Sequence, residues 1–315
     1  MIVEKIYRIK RNIINIYKKY FSVEHPYTYI LSDKSFIKKF YKKRMGKKIN
    51  LSNPKTFTEK QNWLKLYDRN PIYTVTADKY LVRDFVKEKI GEEYLVPLLG
   101  VWNNVDEIDF SALSDEFVLK CNHNSDVIIF KDGIFTAKDK SILTETEARK
   151  KLKEQLKQDY YKSKREWSYK NISRRIICEK YMENHNGKDS IEYKVFCFNG
   201  KPKYVLVISD RFTRRAVTMD IYDMQWNHTN LMKSTCAALA GDVYEKPACF
   251  DELCDLSKKL SADIPFIRVD FNFWNGKLYF GEMTNYDSAG FDKYKPEEWD
   301  YILGQELILP KKRRR

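Results

Sequence analysis

Apolar residues at the head of the chain fall at helical spacing. Ile2, Ile6, Ile9, Ile13, Ile14 and Tyr17 form one stripe, with Lys and Arg filling most of the remaining positions. The helical, basic pattern runs to about residue 65 and is interrupted at Asn53-Pro54. Thr56 and Glu59 stand at capping-box spacing and predict a short helix through Lys65. Another helix is predicted over residues 76–89, stopping at Gly91. From Tyr94 the pattern turns strand-like: YLVPLLGVW, FVLKCN, then VIIF before Asp132-Gly133. A charged helical stretch follows from residue 144 to about 162. IICEKYM, EYKVFCFNG and KPKYVLVISD come next. The last two meet at Asn199-Gly200 with apolar alternation on both sides, which predicts a hairpin. Residues 229–262 read as helix again, and FIRVDFNFW with KLYFGEMTN predicts a second hairpin around Asn275-Gly276. No internal repeat is visible.

A helical head, a mixed lobe and a larger mixed lobe with hairpins predict an α+β fold with a basic helical N-terminal extension. The expected divisions are residues 1–65 for the extension, 66–185 and 186–310 for two lobes, and 311–315 for a basic tail. With 43% hydrophobic and 15% aromatic residues, wholesale disorder is excluded; only 11 Gly and 9 Pro exclude collagen-like repeats. The charge adds a direction. With 58 Lys+Arg against 44 Asp+Glu the chain carries +14, which suits an anionic partner: nucleic acid, a membrane surface, or a phosphorylated or carboxylated substrate.

Much of this excess lies at the ends, in the first 48 residues and the tail, which favours solvent or anionic lipid, and no nucleic-acid partner is expected. The head lacks a continuous apolar run and reads as neither a membrane span nor a signal peptide. As a basic amphipathic helix it suits the surface of an anionic membrane, and equally suits docking on its own domain. The six cysteines are scattered singly without a metal-ligand spacing, so a cytoplasmic location is expected, with the inner face of the membrane as a second address.

Candidate chemistry gathers on the final hairpin. Arg268 and Asp270 alternate on one strand, and Glu282 and Thr284 on the other, so each pair shares a face and the tight turn sets the pairs opposite each other. Two carboxylates with a neutral oxygen donor suit a hard divalent cation such as Mg2+, which brings phosphate oxygens with it. Arg268 adds a planar fork for an anion. A plain surface ion pair is the bland alternative, but these charges sit in otherwise apolar strands, where an unpaired charge is costly.

In FVLKCNHNS, Lys120 ends an apolar strand before a loop of short polar side chains, a place for a point charge on phosphate, although a Lys at a strand end is commonplace. IICEKYM, followed by Glu192-Tyr193-Lys194, can present backbone groups to a base, but the pattern is generic alone. Asp210-Arg211 ends another strand, aimed at the same cleft or joined in a salt bridge.

In this order the pieces resemble the ATP-grasp superfamily, whose ligases carry a strand Lys before a flexible loop, an E-K-x-[LM] hinge, a ribose-binding Glu and a final R-x-D…E-x-N. The runs NPKTFTEKQNWLKLYDRNP, ADKYLVRDFVKEKIGEEYLVPLLGVW, YKVFCFNGKPKY, YDMQW and RVDFNFWNGKLYFGEMT resemble more specifically the TupA-like ATP-grasp family, linked to teichuronopeptide, capsule and O-antigen synthesis. The resemblance covers roughly residues 35–310. It implies an ATP-grasp fold with two α+β lobes clasping ATP, the phosphate-covering loop in the first and the metal site in the second.

It also implies roles. Lys120 contacts the α- and β-phosphates with Lys79 or Arg83 assisting, residues 122–126 (Asn122 and Ser125 among them) cover the phosphates, and Glu179, Lys180 and Met182 meet adenine. Glu192 holds the ribose hydroxyls and Lys194 falls in the same nucleotide motifs; Asp270 and Glu282 bind two Mg2+ ions, and Arg268 steadies the developing charge. Thr284 stands where the family pattern has Asn, leaving the third ligand open between Thr284 and Asn285. The loop has no glycine, and the head before Asp78 is shorter and more helical than the first domain of many ATP-grasp ligases.

The implied reaction is carboxylate–amine ligation. ATP phosphorylates a carboxylate, and an amine displaces phosphate from the acyl phosphate to give an amide. The expected substrates are a uronic-acid carboxylate on a capsule or O-antigen sugar or glycan precursor, and an amino acid or small amine. Asp210, Arg211, Asn285 and Ser288 are the candidate substrate contacts. The rival readings are a sugar kinase on the same nucleotide site, a charge-driven membrane or nucleic-acid binding protein, and a glycosyltransferase.

Overall fold

The structure is a computed structural model of the chain that describes residues 30–182, 191–208, 219–234 and 244–311. The head helix expected before residue 30, the tail beyond 311, and Asp210 and Arg211 lie outside the described residues. The chain forms two compact units, one of residues 1–40 with Leu98–Tyr181 and one of Tyr41–Pro97 with Met182–Arg315. The sequence bounds differ from these, because residues 41–97 belong with the C-terminal unit. The reason is packing: Phe57 and Leu64 are buried with Phe198, Phe266 and Leu303 in one core.

Helix α1 (Asp33–Met45) buries Phe36, Ile37 and Tyr41 and leaves Lys34, Lys38, Lys39, Lys42, Lys43 and Arg44 exposed. Helix α2 (Phe57–Tyr67) starts as the capping box requires: the Thr56 hydroxyl accepts from the Glu59 amide and Glu59 Oε2 accepts from the Thr56 amide. The single helix expected over residues 76–89 is instead two, α3 (Ile72–Ala77) and α4 (Val82–Lys89). Between them Asp78 Oδ1 accepts the amides of Tyr80 at 2.8 Å and Leu81 at 3.3 Å, a side-chain turn that competes with helix.

The first unit is built on an antiparallel sheet ordered β1-β6-β2-β3-β4-β5. Its strands are β1 (Leu98–Trp102), β2 (Phe117–Cys121), β3 (Ile128–Lys131), β4 (Ile134–Ala137), β5 (Ile142–Leu143) and β6 (Ile176–Lys180). Helices α5 (Glu145–Leu156) and α6 (Tyr160–Lys164) replace the continuous stretch expected from residue 144 to 162. Alternation on β2 sends Phe117, Leu119 and Cys121 into a core with Ile128, Ala148, Leu152, Ile176 and Cys178.

The second unit carries a five-stranded antiparallel sheet ordered β12-β11-β7-β8-β9. Its strands are β7 (Ile191–Phe198), β8 (Lys201–Ile208), β9 (Asp220–Asp223), β11 (Phe266–Trp274) and β12 (Lys277–Thr284). Both predicted hairpins form. Asn199 and Gly200, like Asn275 and Gly276, hold positive φ (51° and 76°, 48° and 81°), as a two-residue turn matched to strand twist demands. Residues 229–262 are not one helix: β10 (Met232–Lys233) pairs with β13 (Tyr294–Lys295), and helix α7 begins only at Phe250, running Phe250–Ser261.

One sheet face carries Cys197, near the Ser257 carbonyl of α7. The other carries Phe196, Phe198, Leu206 and Ile208, covered by α2 and by α8 (Glu298–Glu306). Among the described residues no helix is long and apolar enough to cross a membrane.

Candidate active site

Strand register assembles the site. On the β11–β12 hairpin Asp270 lies directly opposite Glu282, and Arg268 opposite Thr284. On the other side β7 sets Lys194 opposite Asp270 and Glu192 opposite Asn272. Opposed residues share a face, so all six predicted side chains, Glu192, Lys194, Arg268, Asp270, Glu282 and Thr284, stand on the face that also carries Leu206 and Ile208. A register shift after Asp270 leaves Gly281 as an extra residue on β12. A Cβ at Gly281 would come within 3.1 Å of the Asp270 carbonyl.

Cations and carboxylates interlock there. Arg268 binds Asp270 through Nε to Oδ1 and Nη2 to Oδ2, both 2.7 Å. Nη2 also reaches Glu282 Oε1 at 3.2 Å and Thr284 Oγ1 at 3.1 Å, while Nη1 donates to Asp287 Oδ1 at 2.7 Å. Lys194 Nζ donates to Asp270 Oδ2 at 2.6 Å and pairs with Glu192 Oε2 at 3.0 Å. Asp287 is fully buried and accepts from Lys233 Nζ at 2.6 Å and Tyr294 Oη at 3.1 Å.

These neighbours set the protonation states. Burial opposes ionisation of Glu282, yet the charges of Lys79, Arg268 and Lys194 outweigh it and hold the carboxyl at about 2. The Glu282 side chain is 44% exposed, so solvent screens part of that effect. Burial likewise opposes ionisation of Asp287, and Lys233 with Arg268 brings it to about 2. Burial works against the Lys194 charge, but Asp270, ahead of Glu192, raises its pKa above the ordinary lysine value. Arg268 is raised well above its ordinary value, chiefly by Asp270 against the cost of burial, and stays a cation.

An all-oxygen donor set suits a hard cation. Among the described residues no three His, Cys, Asp or Glu side chains gather closely enough to cage an ion alone. The fit is to a Mg2+ that completes its shell with water and phosphate oxygens, the usual habit of that ion. Thr284 Oγ1 lies 3.3 Å from Glu282 Oε1. Asn285 does not join it: its amide is buried on Thr76 Oγ1 at 3.0 Å and the Tyr73 carbonyl at 3.3 Å. Of the two, Thr284 is the one whose side chain meets Glu282. Asn285, expected as a substrate contact, is buried with its side chain turned toward α3.

The remaining expected residues divide. Lys79, in the turn between α3 and α4, is near enough to depress the Glu282 pKa. Arg83 instead donates Nη2 to the Val96 carbonyl at 2.8 Å. Ser288 sits in left-handed backbone, φ 47°, with its hydroxyl on Asp292 Oδ2 at 3.2 Å. In the first unit, Lys120 Nζ and Glu179 Oε2 pair at 2.5 Å on the sheet face away from the core.

Asn122 is a clamp: its Oδ1 accepts the Arg175 amide and its Nδ2 donates to the Ser173 carbonyl, both at 2.8 Å. Expected among the residues covering phosphate, its side chain is buried in this clamp, and His123 and Asn124 after it are buried too. Ser125 and Lys180 are exposed and Met182 is half-buried.

Asp287, Lys233 and Tyr294 were missed by sequence reading. Lys233 and Asp287 lie 54 residues apart, and no local pattern joins them. The hint available was a charge in LMKST and another in YDSAGF, each beside apolar residues.

With an antiparallel sheet in each α+β unit, and the strand Lys and carboxylate hairpin in chain order, the architecture is that of the ATP-grasp proteins. The TupA-like ATP-grasp family model matches residues 59–308, and the chain belongs to that family. No curated protein matches the sequence. Among solved structures the chain is similar to D-alanine–D-alanine ligase from Bacillus anthracis complexed with ATP: 15% identity, TM-score 0.37, 72% of this chain and 57% of that one. A second structure of the Bacillus anthracis ligase gives 16%, 0.41, 79% and 69%. The Helicobacter pylori ligase gives 15%, 0.44, 82% and 68%. This chain thus spans between about half and two thirds of those proteins, and the family assignment rests on the sequence match alone.

Proposed function

We propose that the protein is an ATP-dependent ligase that activates a carboxylate by phosphorylation and joins it to an amine. The observation that carries the proposal is the Asp270–Glu282 pair, opposed on one face and bridged by Arg268, in a chain of an ATP-grasp family. Asp270, Glu282 and Thr284 would hold Mg2+, proposed as two ions, which supplies charge neutralisation to the phosphates when bound. Lys120 is proposed as a point charge for phosphate with Lys79 assisting, Glu179, Lys180 and Met182 as the adenine-recognising residues, and Glu192 as the acceptor for ribose hydroxyls.

Arg268, held cationic, directs N–H donors at oxygens that gain charge as the phosphoryl group moves. A substrate carboxylate oxygen attacks the γ-phosphorus as the bond to ADP breaks. The amine nitrogen then attacks the acyl carbon, loses a proton, and phosphate departs. We assign the carboxylate to a uronic acid of a capsule or O-antigen precursor and the amine to an amino acid or small amine, worked on at the inner face of the membrane. The +14 charge and the exposed lysines of α1 favour such an anionic substrate and setting.

The test is ADP release from purified protein offered carboxylated sugars and amines together and separately. Joint dependence supports the ligase. A phosphorylated sugar formed without an amine points to a kinase, and no ATP turnover with any pair sinks both.

A further inference from the structure

We propose that Asp287 is a positioning residue that keeps Arg268 in place while Asp270 and Glu282 turn to a metal ion. The catalytic part of this inference rests on the ligase reading; the structural part does not. Arg268 spends Nε and Nη2 on Asp270, Glu282 and Thr284, the same three side chains that fit a divalent cation. Every lone pair those oxygens give to a dication weakens their hold on the guanidinium, and the dication also repels it. Nη1 points elsewhere, to Asp287 Oδ1 at 2.7 Å.

That second anchor is itself fixed. Lys233 Nζ and Tyr294 Oη both donate to Asp287 Oδ2, at 2.6 and 3.1 Å. Lys233 also lies 3.9 Å from Asp292, whose Oδ1 accepts the Ser234 hydroxyl at 2.5 Å. The turn Asp287–Gly290 is tied to α2, because Asn62 donates to the Gly290 carbonyl at 2.6 Å and Lys65 to the Ala289 carbonyl at 2.7 Å. Such outer partners orient a working side chain when its inner partners are engaged elsewhere. Asp287 therefore fixes the direction from which Arg268 meets the transferred phosphoryl group.

The experiment uses the full chain with isotope-labelled arginine and no nucleotide. Side-chain NMR follows the Arg268 guanidinium protons, assigned by their loss in Arg268→Lys. Asp270→Asn stands in for a carboxylate diverted to metal. The Arg268 signals are expected to persist in Asp270→Asn and to collapse into solvent exchange in Asp270→Asn/Asp287→Asn. Their persistence in that double variant overturns the proposal.

Because Asp287→Asn alone leaves Lys233 buried beside a lost anion, Asp287→Asn/Lys233→Met is made alongside it, with circular dichroism to establish folding. In turnover, this pair is expected to lower kcat about 100-fold with the KM for ATP unchanged. Asp287→Glu, which keeps the charge, is expected to recover part of the loss. A raised KM with kcat intact overturns the positioning role. Wild-type protein that releases no ADP refutes the ligase reading alone, since the NMR result is obtained without nucleotide.

Discussion

Arg268 clasps Asp270, two residues further along the same strand, through two parallel hydrogen bonds of 2.7 Å. Strand alternation puts both side chains on one face, and the planar fork of the guanidinium matches the carboxylate. The same Asp270 also receives Lys194 at 2.6 Å. Two cations thus hold the carboxylate, so under the proposed function a metal ion would displace them rather than fill a bare site.

Asp270→Asn and Glu282→Gln are each expected to reduce ADP release by about 100-fold or more, the scale of losing one preorganised charge contact. Both are expected to raise the Mg2+ concentration needed for half-maximal rate. Steady-state ADP release across a Mg2+ titration checks this. Full turnover in both variants would falsify the metal assignment.

The Lys120–Glu179 pair makes a second prediction. Their side chains are 21% and 13% exposed, so the pair is largely shielded from water. Lys120→Met is expected to destabilise the protein by about 1–3 kcal/mol, because a largely buried carboxylate loses a cation. Lys120→Met/Glu179→Gln should cost less than the sum of the single changes, with a coupling of about 0.5–3 kcal/mol. Urea unfolding of the three variants measures it. Strict additivity would show that the pair does not act as a unit. If Lys120 also meets phosphate, its loss raises the KM for ATP.

Local chemistry made much of the fold readable. Asn199-Gly200 and Asn275-Gly276 supply two successive positive φ angles between alternating strands, and Thr56 with Glu59 caps α2 as spaced. Period-two reasoning set Arg268 with Asp270 and Glu282 with Thr284 as face-sharing pairs opposite each other, and the register agrees; Glu192 and Lys194 on β7 share that face without any spacing having placed them there. What escaped is non-local or side-chain driven. Asp78 breaks a helix with its own carboxylate, and Asn285 turns away to bond Thr76. Residues 41–97 join the second unit because Phe57 packs edge-on to Phe266, 4.8 Å between ring centres, across a separation no short window spans.

Gly304 is required by close approach rather than by backbone angle. It lies in α8, where an added Cβ would stand 2.3 Å from the Lys55 carbonyl oxygen and 2.9 Å from the Phe57 amide nitrogen. Both are backbone atoms at the start of α2 and cannot swing aside. Lys60 Nζ holds the same junction, donating to the Gly304 and Leu307 carbonyls at 2.7 Å each. Gly304→Ala is expected to destabilise by about 1–3 kcal/mol through overpacking, despite the better helix propensity of Ala. A melting temperature equal to wild type would show that the two helices separate without cost.

The buried anchor predicts an acid response. Asp287 has an ordinary pKa of 3.8 and a folded value of about 2, lowered by Lys233 and Arg268 against the opposing effect of burial. A depressed folded value means that its stabilisation is complete above the ordinary pKa and is lost as pH falls through the folded one. The window is therefore about pH 4 down to about 2, and the loss there is roughly 2 kcal/mol. Asp287→Asn/Lys233→Met lacks the titrating group and its charged partner, so its acid limb is expected to be flatter by that amount. Urea unfolding at neutral pH and at several values below pH 4, on both proteins, measures the difference. Superimposable acid limbs would mean that Asp287 carries no depressed pKa in the folded protein.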